Sequence, residues 1–124
     1  MVVFDTNIIL SAVHGDRWAI ELMESYGGEA AAVTIFNKYE MLRGFDPEEE
    51  KVLLEVLERL IVYSFGDKEL DQAVKLYTKV FSERRRVDEF DLLIAAIALA
   101  NNETLVTNDE DFKVFGSDKI LISR

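Results

Sequence analysis

The chain has 124 residues, 49% of them apolar and 10% aromatic, enough for one domain with a real core, since chains of about 150 residues bury roughly 70% of their unfolded surface. No apolar run approaches the ~18 residues of a membrane span, Met1-Val2-Val3-Phe4-Asp5 lacks the basic segment of a secretory signal, and the absence of cysteine excludes disulfides and thiolate chemistry, so a cytoplasmic domain over residues 1–124 is expected. The formal net charge of −10, taken as a bare number, argues against nucleic acid, whose phosphates call for Lys and Arg.

Val2-Val3-Phe4 is short, apolar and rich in β-branching, the pattern of a buried strand, and it closes on Asp5. A helix from Ile8 through Val13 is broken at Gly15-Asp16 and resumes from Trp18 to Tyr26, with Trp18 and Met23 at core spacing and Gly27-Gly28 as the stop. Ala31 to Ile35 is a second strand, and Phe36 to Arg43 a helix capped by Gly44. Asp46-Pro47-Glu48 opens a further helix with an N-cap, a first-turn proline and acids at the positive end of the dipole. Its apolar stripe is Val52, Leu53, Val56, Leu57, Leu60 and Ile61. Val62-Tyr63 forms a third strand. A helix from Asp67 to Arg85 directs Leu70, Ala73, Val74, Tyr77, Val80 and Phe81 inward. Leu92 to Ala100 is apolar all round, so that helix is buried on most sides, and Asn101-Asn102 ends it. Thr104–Thr107 and Ile120–Ile122 are strands. Strands alternating with helices predict an α/β fold, a central parallel sheet in a three-layer α/β/α sandwich.

Three acids sit at the ends of buried elements rather than on polar faces. Asp5 closes the first strand, Asp91 opens the most apolar helix, and Asp109 follows the strand Thr104–Thr107. In an open parallel sheet all three fall at the carboxyl edge, where ligands bind. One such Asp is usually only a cap or turn residue. Three together repel one another and resist desolvation, a cost that a cation relieves. Carboxylate oxygens suit Mg²⁺ or Mn²⁺, and a chain with no Cys and one His (His14, expected in a surface or packing role) does not suit zinc.

The stretch Val2-Val3-Phe4-Asp5-Thr6-Asn7 resembles the opening of PIN-domain nucleases. Glu40-Met41-Leu42-Arg43-Gly44 matches the family's second acidic motif, Phe90-Asp91-Leu92-Leu93-Ile94-Ala95-Ala96 the third, and Leu105 to Phe112 the Thr-Asn-Asp region. The four motifs span essentially the whole chain in the right order, and the nearest likeness is to the short VapC-type toxins. The resemblance implies Asp5, Glu40, Asp91 and Asp109 as the catalytic acids, with Asp5, Asp91 and Asp109 on the metal. It implies Asn7 and Thr107 as hydrogen-bonding supports for Asp5 and Asp109. It also implies metal-dependent hydrolysis of single-stranded or loop RNA, a VapB-like antitoxin partner and a homodimer. Phe36, Tyr39, Met41 and apolar positions of the Leu53–Ile61 helix are the candidate dimer residues. Alternatives are a PIN nuclease of RNA processing that is not a toxin, or a binding scaffold without catalysis.

Two acid-dependent phosphotransfer folds fit less well. A receiver domain needs an Asp ending the third strand, where Tyr63-Ser64-Phe65 has none, and a haloacid-dehalogenase-like phosphatase needs a second Asp where Asn7 stands. The charge is also unevenly spread. Residues 88–111 hold seven acids and no base, whereas residues 75–86 hold five bases against one acid, Glu83. Arg84, Arg85 and Arg86 therefore run into Asp91 as a basic rim for phosphates, with Arg43 a further candidate on the Glu40 helix. Asp88 reads as the cap of the Asp91 helix, and Glu110-Asp111 as the start of a short helical turn with Asp111 beside the site.

Overall fold

The structure is a computed structural model that describes residues 1–26, 31–44 and 47–123; the Gly27-Gly28 stop and the Asp46 cap lie outside them. The elements are β1 (Val2–Phe4), α1 (Thr6–Val13), α2 (Arg17–Glu24), β2 (Ala31–Thr34), α3 (Ile35–Arg43), α4 (Pro47–Glu58), β3 (Ile61–Tyr63), α5 (Asp67–Ser82), α6 (Glu89–Ala100), β4 (Thr104–Thr107), a 3-10 helix η1 (Glu110–Phe115) and β5 (Ile120–Ile122). The five strands form one parallel sheet in the order β3-β2-β1-β4-β5.

The pleat of each strand divides the core in two. Val3, Ala32 and Leu105 pack on one face against α5, α6 and η1, while Val2, Phe4, Val33 and Val106 pack on the other against α1, α3 and α4. The expected three-layer α/β/α sandwich is thus the observed one. The chain winds outward from β1 through β2 to β3, then restarts at β4 on the other side of β1, so the order reverses between β1 and β4. That reversal opens a crevice at the carboxyl ends of these two strands.

Several expectations about which face turns inward are corrected. On α5 the buried residues are Glu69, Ala73, Leu76 and Val80; Leu70, Val74, Tyr77 and Phe81 face out. The buried face is the one that packs on α6, where Ala73, Leu76 and Val80 share one core cluster with Leu92, Ile94, Ala95 and Ala98. Trp18 is exposed rather than core. Val52 is exposed beside buried Leu53 and Leu57, and Ile61 begins β3 rather than continuing α4. Ile35 is the first residue of α3, not the end of β2, because Thr34 caps that helix. Of the residues suggested for a dimer contact, Met41, Leu53 and Leu57 are core and Phe36 is half-buried, while Tyr39, Leu54 and Ile61 are exposed.

Candidate functional site

Asp5 follows β1 directly and is also the N-cap of α1, so strand and helix together fix it at the crevice. It is buried, and both carboxylate oxygens are occupied. Oδ1 accepts from the Thr6 backbone N–H at 2.8 Å and from Asn37 Nδ2 at 3.3 Å; Oδ2 accepts from Thr107 Oγ1 at 2.8 Å. Burial raises the Asp5 pKa, the Thr107, Thr6 and Asn37 bonds lower it, and the Asp109 charge raises it, with a net shift upward.

Asn37 is held in turn by the cap of α3. Its Oδ1 accepts from the Thr34 backbone N–H at 2.9 Å and from Thr34 Oγ1 at 2.8 Å, while its own backbone N–H donates to Thr34 Oγ1 at 3.2 Å. Its Nδ2 also donates to Thr6 Oγ1 at 2.9 Å, and the Thr6 hydroxyl donates onward to Glu40 Oε1 at 3.0 Å. Glu40 lies one helical turn beyond Asn37 on the same face of α3. Its pKa is raised by burial and by the charges of Asp5 and Asp88, against the Thr6 bond and the Arg43 charge.

Asp91 stands in the first turn of α6, where its backbone N–H donates to the capping Asp88 Oδ1 at 3.1 Å. Burial first, then the charges of Asp88, Asp5, Asp109 and Glu40, push its pKa up to about 7. Asp109 follows β4. Its backbone N–H donates to Thr107 Oγ1 at 3.0 Å, and its Oδ1 accepts from the Asp111 backbone N–H at 2.9 Å as the cap of η1. Thr107 therefore bridges Asp5 and Asp109 through one hydroxyl.

The structure brings Asp5, Glu40, Asp91 and Asp109 together in one acidic cluster, in which the charges of Asp5, Glu40 and Asp109 all bear on Asp91. Among the described residues, the acids that place carboxylate oxygens within 4.8 Å of one another are Asp91, Asp109 and Asp111. Asp111 thus stands inside the cluster rather than beside it. Asn7 is exposed on α1 and is not among the donors to Asp5; the side-chain amide at that carboxylate is Asn37. Thr6, Thr34 and Asn37 were missed in the sequence, and the available signal was the Thr34-x-x-Asn37 cap directly after a strand.

A cleft of about 550 Å³ beside the acids is lined by Arg85, Arg86, Val87, Asp88, Asp91, Glu110, Asp111 and Val114. The basic triplet divides here: Arg85 and Arg86 line this cleft, while Arg84 lines a neighbouring one with Phe81, Ser82 and Arg85. Arg43 lies over the Tyr39 ring at 5.1 Å and the Phe90 ring at 5.8 Å, and those rings stack on each other at 5.9 Å.

A parallel α/β/α sandwich with its acids gathered at the switch point places them where such folds bind their ligands. The match to the PIN domain model runs over residues 2–117, and the chain belongs to the PIN-domain family, whose members are generally nucleases. No curated protein sequence matches the chain. Solved structures match over nearly all of it. A chain of VapBC2 from Rickettsia felis, bound to a DNA fragment from their promoter, superposes with a TM-score of 0.79 at 26% identity, covering 99% of this chain and 98% of that one. A chain of a toxin–antitoxin complex from Klebsiella pneumoniae gives 0.82 at 20% identity, covering 98% and 96%. VapBC-1 from nontypeable Haemophilus influenzae gives 0.80 at 19%, covering 99% and 97%. The resemblance to VapC-like PIN toxins read from the four acidic motifs is thereby shown at the level of fold and family.

Proposed function

We propose that the protein is a Mg²⁺- or Mn²⁺-dependent endoribonuclease acting on single-stranded or loop RNA, the toxin of a cytoplasmic toxin–antitoxin pair. The observation that carries this reading is the gathering of Asp5, Glu40, Asp91 and Asp109 at one crevice, with Asp91 pushed up to about 7 by burial and its acidic neighbours. The donor set fits a hard divalent cation, since Asp91, Asp109 and Asp111 offer carboxylate oxygens within 4.8 Å and no thiolate competes. Asp91, Asp109 and Asp111 would hold such an ion with Asp5, and it would supply an activated water at neutral pH and stabilise charge on the phosphoryl oxygens.

The remaining roles belong to the chain itself. Thr107 and Asn37 fix the orientation of the Asp5 carboxylate, and Thr6 fixes that of Glu40. Arg85 and Arg86 border the acids and hold RNA phosphates, which positions the strand without reading its sequence. Arg43, stacked over Tyr39 and Phe90, lowers the Glu40 pKa through its charge and is exposed to meet the RNA backbone as well. The relatives seen in complexes support a VapB-like antitoxin as partner. The reading also includes a homodimer, to be built on a face other than the buried Met41 and Leu53.

The test is cleavage of a generic RNA by purified protein with Mg²⁺ or Mn²⁺. Activity is expected in the wild type, lost on adding EDTA and lost in Asp5→Asn and Asp91→Asn. Equal cleavage by wild type and variants would mean a contaminating nuclease, and no cleavage by metal-loaded wild type would leave a binding scaffold.

A further inference from the structure

We propose that Tyr39, backed by Phe90 and Arg43, is a stacking platform for one unpaired base of the RNA, beside the phosphate that the acids act on. This rests on the ribonuclease reading and deepens it, because it says which feature of single-stranded or loop RNA the site selects. Phe36, Tyr39 and Arg43 recur at intervals of three and four residues along α3 and share one stripe, while Asn37 and Glu40 form the adjacent stripe, which meets Asp5 and Thr6. The acid-supporting face and the aromatic face of this helix are therefore neighbours. The same adjacency recurs on α6, where Phe90 directly precedes Asp91. The Tyr39 and Phe90 rings stack at 5.9 Å with their planes 22° apart, and the Arg43 guanidinium lies over both, 5.1 Å and 5.8 Å from their centroids. Phe36 ties the pair to the core, meeting Phe90 edge-to-face at 5.8 Å and Phe65 at 5.6 Å. Phe36 and Phe90 are half-buried, whereas Tyr39 is 52% exposed and Arg43 is exposed. Tyr39 thus presents a ring already held in place by its neighbours, which a base can cover with little further loss of freedom.

Position and chemistry select the occupant. α3 follows β2 and η1 follows β4, so the two helices flank the crevice between β1 and β4 from either side. The cleft with Arg85 and Arg86 is lined from the α5–α6 connection, the start of α6 and η1. Tyr39 and Arg43 border the acids from the α3 side instead. A strand whose phosphates enter by Arg85 and Arg86 and cross the acids runs on toward Tyr39 and Arg43. A cation beside an exposed aromatic ring is the pairing that holds single-stranded nucleic acid: the charge meets the backbone and the ring takes the base. In a duplex, both faces of each base are covered by neighbouring pairs, so the ring has nothing to stack on and the platform favours unpaired RNA. Stacking also suits the charge of this chain. At a formal net charge of −10 the general attraction for phosphates is weak, and a neutral ring adds affinity that does not depend on it.

The test is cleavage, with Mg²⁺ or Mn²⁺, of a short unstructured RNA and of versions that each carry one abasic position, by the wild type and by Tyr39→Ala. A base contact that persists through the reaction binds substrate and transition state alike, so its removal falls on KM rather than on kcat. Tyr39→Ala, with an unchanged circular dichroism spectrum, is expected to raise KM for the intact RNA by about 5- to 150-fold, the usual weight of one stacked base. Tyr39→Phe and Tyr39→Trp are expected to keep KM near the wild-type value. One abasic position is expected to raise the wild-type KM by a similar factor and to leave that of Tyr39→Ala unmoved, because ring and base belong to one contact. An unchanged KM in Tyr39→Ala overturns the platform. Equal sensitivity of wild type and Tyr39→Ala to every abasic position overturns it as well, and assigns Tyr39 to a contact with protein. A second readout needs no turnover: the same RNA with 5-iodouridine at each position in turn is expected to photo-crosslink to Tyr39, located by mass spectrometry. A crosslink at Tyr39 without cleavage would overturn the nuclease reading and keep the base contact, whereas cleavage with no crosslink at Tyr39 from any position overturns the platform alone.

Discussion

Asn37 donates its side-chain amide to Asp5 Oδ1 at 3.3 Å although 32 positions separate them in the chain, and its own amide oxygen is tied back to Thr34. One side chain thus closes the cap of α3 and orients an acid on the neighbouring strand. Asn37→Asp keeps the shape and the acceptor for Thr34, but it removes the donor and adds a negative charge to a cluster already strained by repulsion. We expect about a 10- to 100-fold loss in metal affinity or cleavage rate, the usual effect of removing a support for a metal-binding carboxylate. Asn37→Ala additionally leaves buried groups unpaired and should cost ~1–3 kcal/mol of stability. Isothermal titration with Mn²⁺ and chemical denaturation separate the two effects.

Thr107 is fully buried and joins two acids, donating to Asp5 Oδ2 at 2.8 Å while accepting from the Asp109 backbone N–H at 3.0 Å. Thr107→Ser preserves both bonds and should retain most activity. Thr107→Val matches the volume but leaves an unsatisfied carboxylate oxygen and an unsatisfied N–H. We expect a loss of roughly 1–3 kcal/mol in stability, together with weaker metal binding. Cleavage by the valine variant at the wild-type rate would dismiss the bridging role.

The pH dependence follows from Asp91. Its pKa rises from an ordinary 3.8 to about 7 in the folded chain, through burial first and then the charges of Asp88, Asp5, Asp109 and Glu40. Between those two values the folded state binds more protons than the unfolded one, so the contribution of this group to stability falls as pH rises from about 4 to about 7 and is flat above. Metal-free protein should therefore melt at lower temperature at pH 8 than at pH 5.5. Asp91→Asn should flatten that slope and raise the melting temperature at pH 8 while abolishing cleavage. Mn²⁺ affinity should increase with pH through the same range, because the ion competes with a proton. A melting temperature independent of both pH and Asp91 would exclude the repulsion.

How much of this was legible beforehand depended on whether chain order alone fixes a position. Asp5, Asp91 and Asp109 stood out because the ends of strands and the start of a helix after a crossover all face one edge of a parallel sheet, whatever the details of packing. Asn37 did not stand out, because its function lies in a contact across 32 positions and its local pattern reads as an ordinary cap. The orientation of α5 differs from the one its sequence predicts for a physical reason. That helix carries two apolar stripes, and the exposed one, Leu70, Val74, Tyr77 and Phe81, is the bulkier. Size suggested the core side, but Ala73, Leu76 and Val80 are what fit against α6. Asp111 reads in the sequence only as a residue at the margin of the site, since a 3-10 turn after Asp109 sets its direction and no helical or strand period reports it.

Glu69 provides a control that separates scaffold from site. It is a buried carboxylate on α5 that accepts from the Gly66 backbone N–H at 2.9 Å and from Asn101 Nδ2 at 3.1 Å, linking the start of α5 to the end of α6. Burial pushes its pKa up, but the Gly66 and Asn101 bonds and the Lys68 charge outweigh it, and the net shift is downward. A lowered folded value means that the contribution to stability is present above the unfolded pKa and is lost as pH falls through the folded one, opposite in sign to Asp91. Glu69→Ala should cost about 1.5–3 kcal/mol near neutral pH, in the range of hydrogen bonds to a charged group, and less in acid. Glu69→Gln retains an acceptor for Gly66 and should cost about 1 kcal/mol. Both variants should keep wild-type metal affinity and cleavage per folded molecule, since neither touches Asp5, Glu40, Asp91 or Asp109. A fall in metal affinity at unchanged fold would show that the α5–α6 pair transmits its packing to Asp91.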